Sequence, residues 1–282
     1  MNEFVSIQKS LFQNESKWNQ DLVQLDVKDN IHNESWKTFA IFEWITAKAK
    51  QGNIHSSMIP PIIVKINDET IINPEALIAI VLDIRDQMNI QLISKGKLDF
   101  TLFGNVITGG KPSRSSGDIS YVPDSVWPSK NWGFDYLNGN GYIVPLHVIN
   151  KLIELQTNCF QTGLYIGDVF LTGYLPHIMN FQLLNDMRIY DSNANPDKLQ
   201  TSIKYNKYAL IFSENSADFI RIWEILKDNF QIKAPEVPVR SSNPGTNRLC
   251  SFYHNIEWPG CPSGVCSPDE DFNGYTYRYV LF

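Results

Sequence analysis

The stretch Pro60-Pro61-Ile62-Ile63-Val64-Lys65-Ile66 constrains the fold most. The β-branched run behind the two prolines suits a strand covered on both faces. Asn67-Asp68-Glu69 follows directly, and Asn73-Pro74 then opens a helix through residue 88, with proline in the first turn where its missing N–H costs nothing. A buried strand, a polar turn and a helix within 30 residues are the unit from which layered α/β domains are built.

The rest of the chain repeats that alternation. Phe4, Ile7, Leu11 and Phe12 recur at helical spacing, and residues 21–27 alternate as a strand. Residues 33–50 predict an amphipathic helix with Trp36, Phe39, Ala40, Trp44 and Ala47 on its apolar face, ended by Gly52-Asn53. A strand is expected over 98–106, broken by Gly109-Gly110-Lys111-Pro112. Residues 113–140 read as loop, 141–144 as a short strand, 146–155 as a helix, 168–175 as helical and 208–212 as a strand. Residues 217–229 read as a helix with Trp223 and Leu226 inward. The composition shifts to Pro, Ser, Gly and Cys after Ala234, so residues 1–233 are expected to form one α/β domain and 234–282 an appendage.

Composition bounds the partners. Seven Trp, 12 Tyr and 16 Phe, with 43% hydrophobic residues, exclude a disordered chain. The net charge of −6 and the lack of a Lys/Arg cluster argue against nucleic acid. No segment approaches the roughly 20 apolar residues of a membrane span. Cys250, Cys261 and Cys266 crowd the tail without CxxC or paired-His spacing, so a disulfide in an oxidising compartment is the preferred reading over three unrelated thiols. The sequons Asn14-Glu15-Ser16 and Asn33-Glu34-Ser35 point weakly the same way.

Two acidic motifs carry the chemistry. In open α/β sheets, ligands bind outside the carboxyl ends of strands, where Asn67-Asp68-Glu69 is expected. Carboxylates repel a diphosphate directly but can hold a divalent cation that neutralises it; the same triplet also suits a simple polar turn. In Gly167-Asp168-Val169-Phe170, Asp168 suits a general base and equally an N-cap.

Five blocks in order resemble the β1,3-galactosyltransferase family (glycosyltransferase family 31). Lys65-Ile66-Asn67-Asp68-Glu69-Thr70-Ile71-Ile72-Asn73 is similar to its lysine-x-Asp-Asp-Asp-x-phenylalanine-x-Asn segment. Residues 20–26 with Glu34-Ser35-Trp36-Lys37-Thr38 resemble its strand and leucine-threonine-x-lysine-threonine helix, and residues 104–114 its glycine-x-proline-x-arginine stretch. Trp127-Pro128 with residues 136–143 resembles its tyrosine-proline and tyrosine-x-x-glycine-x-glycine-tyrosine segment, and residues 167–173 its Glu-Asp-Val-x-x-x-Gly block. The resemblance implies a GT-A-like fold with a central mixed sheet flanked by helices. It also implies an inverting transfer from a UDP-sugar to a glycan acceptor on protein or lipid, and Mn2+ or another divalent cation. By position it assigns Asp168 as base, Asp68 and Glu69 to the metal, and Lys65, Asn67, Asp68 and Arg114 to the nucleotide-sugar. Trp132, Tyr136, Gly139 and Asn140 fall to the acceptor. It places the chain in the Golgi lumen as a type II membrane protein where the family anchor precedes it, and in the cytosol if the chain is taken literally.

The departures define a second expectation. Two of the three motif aspartates are Asn67 and Glu69, the Glu ahead of the base is Gly167, and no His of the late metal-binding kind matches around residues 209–213. The family's first strand and arginine-x-x-tryptophan helix find no match, which suggests a truncated gene model or a degenerate member. The alternative function is a catalytically inactive relative that partners or chaperones active glycosyltransferases.

Overall fold

The computed structural model describes residues 30–51, 59–159, 164–191, 208–213, 215–230 and 280–281. The expected helix and strand before residue 30, the tail cysteines and residues 234–279 lie outside them.

The centre is strand β1 (Ile62–Ile66), buried at all five positions. It pairs antiparallel with the ten-residue β4 (Tyr136–Pro145) in a register that sets Ile63 against Val144 and Lys65 against Tyr142. β4 pairs antiparallel with β3 (Thr101–Ile107), which pairs in parallel with β5 (Gln182–Asn185). Val280–Leu281 (β8) closes the other edge of β1, so two residues of the expected appendage belong to the central sheet. The five-stranded order is β5-β3-β4-β1-β8. A smaller sheet joins β2 (Thr70–Ile72), β7 (Leu210–Phe212) and β6 (Tyr190–Asp191), in that order.

Alternation along β1 sorts its side chains into two cores, because successive residues face opposite sides of a sheet. Ile62, Val64 and Ile66 pack against Ala76, Leu77, Ile80 and Ile84 of helix α2 (Pro74–Lys95). Ile63 faces the other layer, formed by α1 (Glu34–Gln51), α3 (Leu146–Cys159) and a π-helical segment, Val169–Tyr174, that runs into the short α4 (Leu175–Ile178). Lys65 shares the parity of Ile63 and therefore points into this second layer. Ile71 and Ile211 meet Ile222 and Leu226 of α5 (Ser216–Phe230) in a third cluster. The result is a mixed α/β fold with a central mixed sheet flanked by helices, as a GT-A-like domain requires. Among the described residues no helix is long and apolar enough to cross a membrane.

The helix α1 is rotated from its expected face. Thr38, Phe39, Ile41, Phe42, Ile45 and Ala49 are buried, whereas Trp36 is 48% exposed and Ala47 is exposed. Two stripes compete for the core in this helix. The one with three aliphatic chains and two phenylalanines wins, since each buried Ile or Phe contributes roughly 1.5–3 kcal/mol. In α5, Leu226 is inward as expected, but Trp223 is 45% exposed and Ile222 takes the buried place. Helix α2 runs on to Lys95 and ends where Gly96 adopts φ 67° and returns its N–H to Leu92, the left-handed C-cap that favours glycine. β4 begins five residues before the expected strand: Tyr136 and Leu137 pair with Ile107 and Val106 despite the Asn/Gly-rich sequence that follows.

Candidate active site

The turn after β1 and the first half of β4 are joined at the end of the sheet. Asn67 N–H donates to the Asn140 carbonyl at 3.2 Å. Asn67 Nδ2 donates to Asn140 Oδ1 at 2.9 Å, and Thr70 Oγ1 donates to the same Asn140 carbonyl at 2.9 Å. This lattice fixes the backbone beneath Asp68 and Glu69, both of which are exposed. Among the described residues neither carboxylate is drawn into a hydrogen bond or ion pair, while the Glu69 carbonyl accepts Ser213 N–H at 3.3 Å.

Lys65 is the centre of the site. It is buried, with 6% of its surface exposed, and its ammonium donates to Asn67 Oδ1 and to the Gly139 carbonyl, each at 2.5 Å. The Tyr142 ring lies 5.7 Å from Nζ, close enough for a cation–π contribution. Burial pulls the Lys65 ammonium below its usual range, and Glu34, Asp168 and Asp68 oppose that pull.

Asp168 stands on the other side of Gly139. A Cβ built on Gly139 would lie 2.9 Å from Asp168 Oδ2 and 3.1 Å from Cγ. The carboxylate caps its own helical segment by accepting Val169 N–H at 2.8 Å. Thr172 Oγ1 donates to the Asp168 carbonyl at 2.7 Å and accepts Leu137 N–H at 2.8 Å, which ties the segment to β4. The π-helical winding that follows, Val169–Tyr174, is a rare geometry found mostly at functional sites. Desolvation, and then the Glu34 charge, push the Asp168 carboxyl up to about 6, against Val169 N–H and Lys65, which hold it down. Tyr136 feels the same charge: burial first and Asp168 second raise its phenol.

Glu34 is the residue that sequence reasoning missed. It opens α1, and its Oε2 accepts Gly167 N–H at 3.1 Å across 133 positions. A Cβ on Gly167 would meet Glu34 Cγ at 3.0 Å, so the carboxylate occupies the side of the backbone that glycine leaves open. No local pattern signals a contact of that sequence separation; the glycine where the resemblance expects Glu was the available hint.

The structure thus brings Lys65, Asn67, Asp68, Gly139, Asn140, Tyr136 and Asp168 into one neighbourhood, with Glu69 beside Asp68. It separates Arg114 and Trp132 from the free surface of that neighbourhood. The Arg114 guanidinium donates to the carbonyls of Val122, Trp127 (2.6 Å) and Ser129 (2.7 Å) and pairs with Asp124 at 3.2 Å. Trp132 is 3% exposed and packs 5.5 Å from Trp127 and 6.3 Å from Phe134, centroid to centroid. Both residues hold the loop over 113–134 in shape.

Among the described residues no group of three or more His, Cys, Asp or Glu could hold a metal ion by itself. Asp68 and Glu69 are the two exposed carboxylates of this turn, the kind of side chain that binds a hard cation alongside substrate phosphates and water.

The chain is similar in sequence to known glycosyltransferases. The chain is 27% identical over 158 residues to lactosylceramide 1,3-N-acetyl-beta-D-glucosaminyltransferase B of Xenopus laevis, a stretch that makes up 56% of this chain and 37% of that protein. It is likewise 27% identical over 164 residues to lactosylceramide 1,3-N-acetyl-beta-D-glucosaminyltransferase of Xenopus tropicalis, 58% of this chain and 38% of the relative. The chain thus matches little more than a third of the length of these relatives. Residues 5–186 match the family described as galactosyltransferase, and that span contains β1, the acidic turn, β4 and Asp168: the chain belongs to the galactosyltransferase family.

Proposed function

We propose that this chain carries the active site of an inverting, UDP-sugar-dependent hexosyltransferase. The observation that supports it is the single connected unit Asp168–Gly139–Lys65–Asn67, which sets a proton-avid carboxylate beside an exposed acidic turn. The sugar moved is a hexose or N-acetylhexosamine, and the acceptor is a glycan on protein or lipid. The names of the Xenopus relatives favour N-acetylglucosamine and a lactosylceramide-type acceptor.

In this reading an acceptor hydroxyl lies against Asp168. Its oxygen bonds to the anomeric carbon as the bond from that carbon to the UDP oxygen breaks, and its proton passes to Asp168 Oδ2. Asp168 needs to be ionised beforehand, and a carboxyl held near 6 is both mostly ionised at neutral pH and basic enough to take the proton. Lys65 holds the turn and the Gly139 carbonyl at fixed distance, so the base and the acidic turn keep their spacing. Asp68 and Glu69 would hold Mn2+ or a similar cation, which when bound supplies positive charge to the leaving diphosphate. Tyr136, Gly139 and Asn140 line the acceptor side. In this reading the site works in the Golgi lumen.

A second reading has one observation in its favour: the described residues offer two carboxylates and no third metal ligand. It makes the protein a non-catalytic partner of active glycosyltransferases. UDP release from UDP-galactose and UDP-N-acetylglucosamine, with lactose-terminated acceptor and Mn2+, decides between them. Release that EDTA and Asp168→Asn each abolish is the expected result. No release from either donor, by protein with a cooperative melting transition, would establish the non-catalytic reading.

A further inference from the structure

The segment leading into Asp168 is clasped by the first turn of α1. Ser35 N–H donates to the Tyr165 carbonyl at 3.3 Å, Ser35 Oγ donates to the Leu164 carbonyl at 3.3 Å, and His32 stacks edge-on to Tyr165 with centroids 4.4 Å apart. Glu34 completes the clasp by accepting Gly167 N–H at 3.1 Å. The first three contacts are ordinary docking. The fourth differs: a carboxylate is inserted beside another carboxylate, in space that a Cβ at residue 167 would crowd to 3.0 Å.

Two like charges held together cost stability, so the arrangement calls for a reason. A helix start has a cheaper way to satisfy one amide, since Ser, Asn or Gln would accept it without charge. We propose that Glu34 is a positioning residue of the Asp168 site, fixing the turn at Gly167 and keeping Asp168 in the field of a second carboxylate that Lys65 opposes. The inference rests on Asp168 being the base of the proposed transfer. The charged groups that face Asp168 are Glu34 from α1, Lys65 from β1 and the Tyr136 phenol from β4. Asp68 and Lys37 act in turn on Lys65. Of these, Glu34 raises the proton affinity of Asp168 and Lys65 lowers it. Removing the Glu34 charge removes one of the two effects that raise the affinity and leaves the opposing Lys65 in place, so the affinity has one direction to move.

Glu34→Gln keeps an oxygen for Gly167 N–H and removes the charge; Glu34→Ala removes both. Titration of the Asp168 side-chain carboxyl by carbon-13 NMR, in the full chain without donor or acceptor, reads the effect directly. The expected midpoint for Glu34→Gln falls by about half a pH unit or more, and the acidic limb of UDP release with UDP-N-acetylglucosamine and Mn2+ shifts with it. Glu34→Ala is expected to lower kcat about tenfold beyond Glu34→Gln while KM for the donor stays within about twofold, as loss of orientation without loss of binding demands. An Asp168 midpoint unchanged in Glu34→Gln, in protein whose melting transition matches the parent, would overturn the proposal. A parent without UDP release would sink the transferase reading alone, because the NMR titration still decides what Glu34 does to Asp168.

Discussion

Asp168 Oδ2 lies where Gly139 has no side chain, 2.9 Å from the position a Cβ would take, and the carbonyl of that same glycine receives Lys65. One residue of β4 is therefore the spacer between the carboxylate and the ammonium. Gly139→Ala places a methyl group against the end of a movable side chain, so the easiest relief is a swing of Asp168 away from Lys65. The cost of such overpacking is about 1–3 kcal/mol, with the lower end expected here. Melting should fall by a few degrees, while UDP release should fall at least tenfold. Equal fractional loss of folded protein and of activity would mean that the spacing has no role beyond stability.

Asp168 also sets a pH dependence with a definite sign. Burial and the Glu34 charge raise its carboxyl to about 6, so the ionised base accumulates as pH rises through that value. The rate should climb across pH 5–7 and then level. The same shift acts on stability: the folded chain holds this proton more tightly than the unfolded one, so between the unfolded value near 4 and the folded value near 6 the parent loses stability as pH rises. Asp168→Asn has no such loss. Its stability relative to the parent should therefore be greater at pH 7.5 than at pH 5, measured by urea midpoints, even as UDP release drops by a factor of about 10²–10⁴.

How much of this was legible in the sequence depends on the range of the interaction. The β-branched run of β1, its polar turn and the Asn73-Pro74 helix start were readable, because each is a local rule. The polarity of Lys65 within that run was visible too, but its parity with Ile63, which aims it at α1, needed the strand to be placed in the sheet. α1 reads as a helix with Trp36 and Ala47 on its apolar face, and only tertiary packing turns these two outward while Trp44 stays against the core. The first five residues of β4 read as loop, since asparagine and glycine have poor strand propensity; pairing of Tyr136 and Leu137 with β3 overrides it. Glu34 was quoted as part of a helix motif, yet its link to Gly167 spans 133 positions, beyond any periodicity.

Lys65 gives a stability prediction. Lys65→Met matches the burial and the length but removes the donor to Asn67 Oδ1 and the Gly139 carbonyl. It also leaves Glu34 and Asp168 without the cation that opposes their repulsion. Breaking a buried charge arrangement on one side costs about 3–5 kcal/mol, and in a domain of this size each kcal/mol moves the melting point by about 2–4 °C. A fall of roughly 6–20 °C is expected. Adding Glu34→Gln to Lys65→Met should recover part of it, because one of the stranded charges goes. Additive losses in the double variant, read by scanning calorimetry, would mean that the two charges are not coupled.

Arg114 tests the line between building a site and contacting its ligand. The sequence resemblance gives it to the nucleotide-sugar, but its guanidinium is directed at the carbonyls of Val122, Trp127 and Ser129, with Asp124 beside it. Those carbonyls fix the loop that delivers Trp132, Phe134 and then Tyr136 to the sheet. Arg114→Ala removes the donor that ties three carbonyls together and should open the loop to limited proteolysis within residues 113–134. A planar fork with several donors is needed to reach three carbonyls at once, so Arg114→Lys should protect the loop only in part. UDP affinity by calorimetry should stay within about threefold of the parent, since less than 1 kcal/mol separates those values, whereas KM for the lactose-terminated acceptor should rise because Tyr136 loses its support. The opposite pattern, an intact loop with UDP affinity reduced tenfold or more, would return Arg114 to the donor.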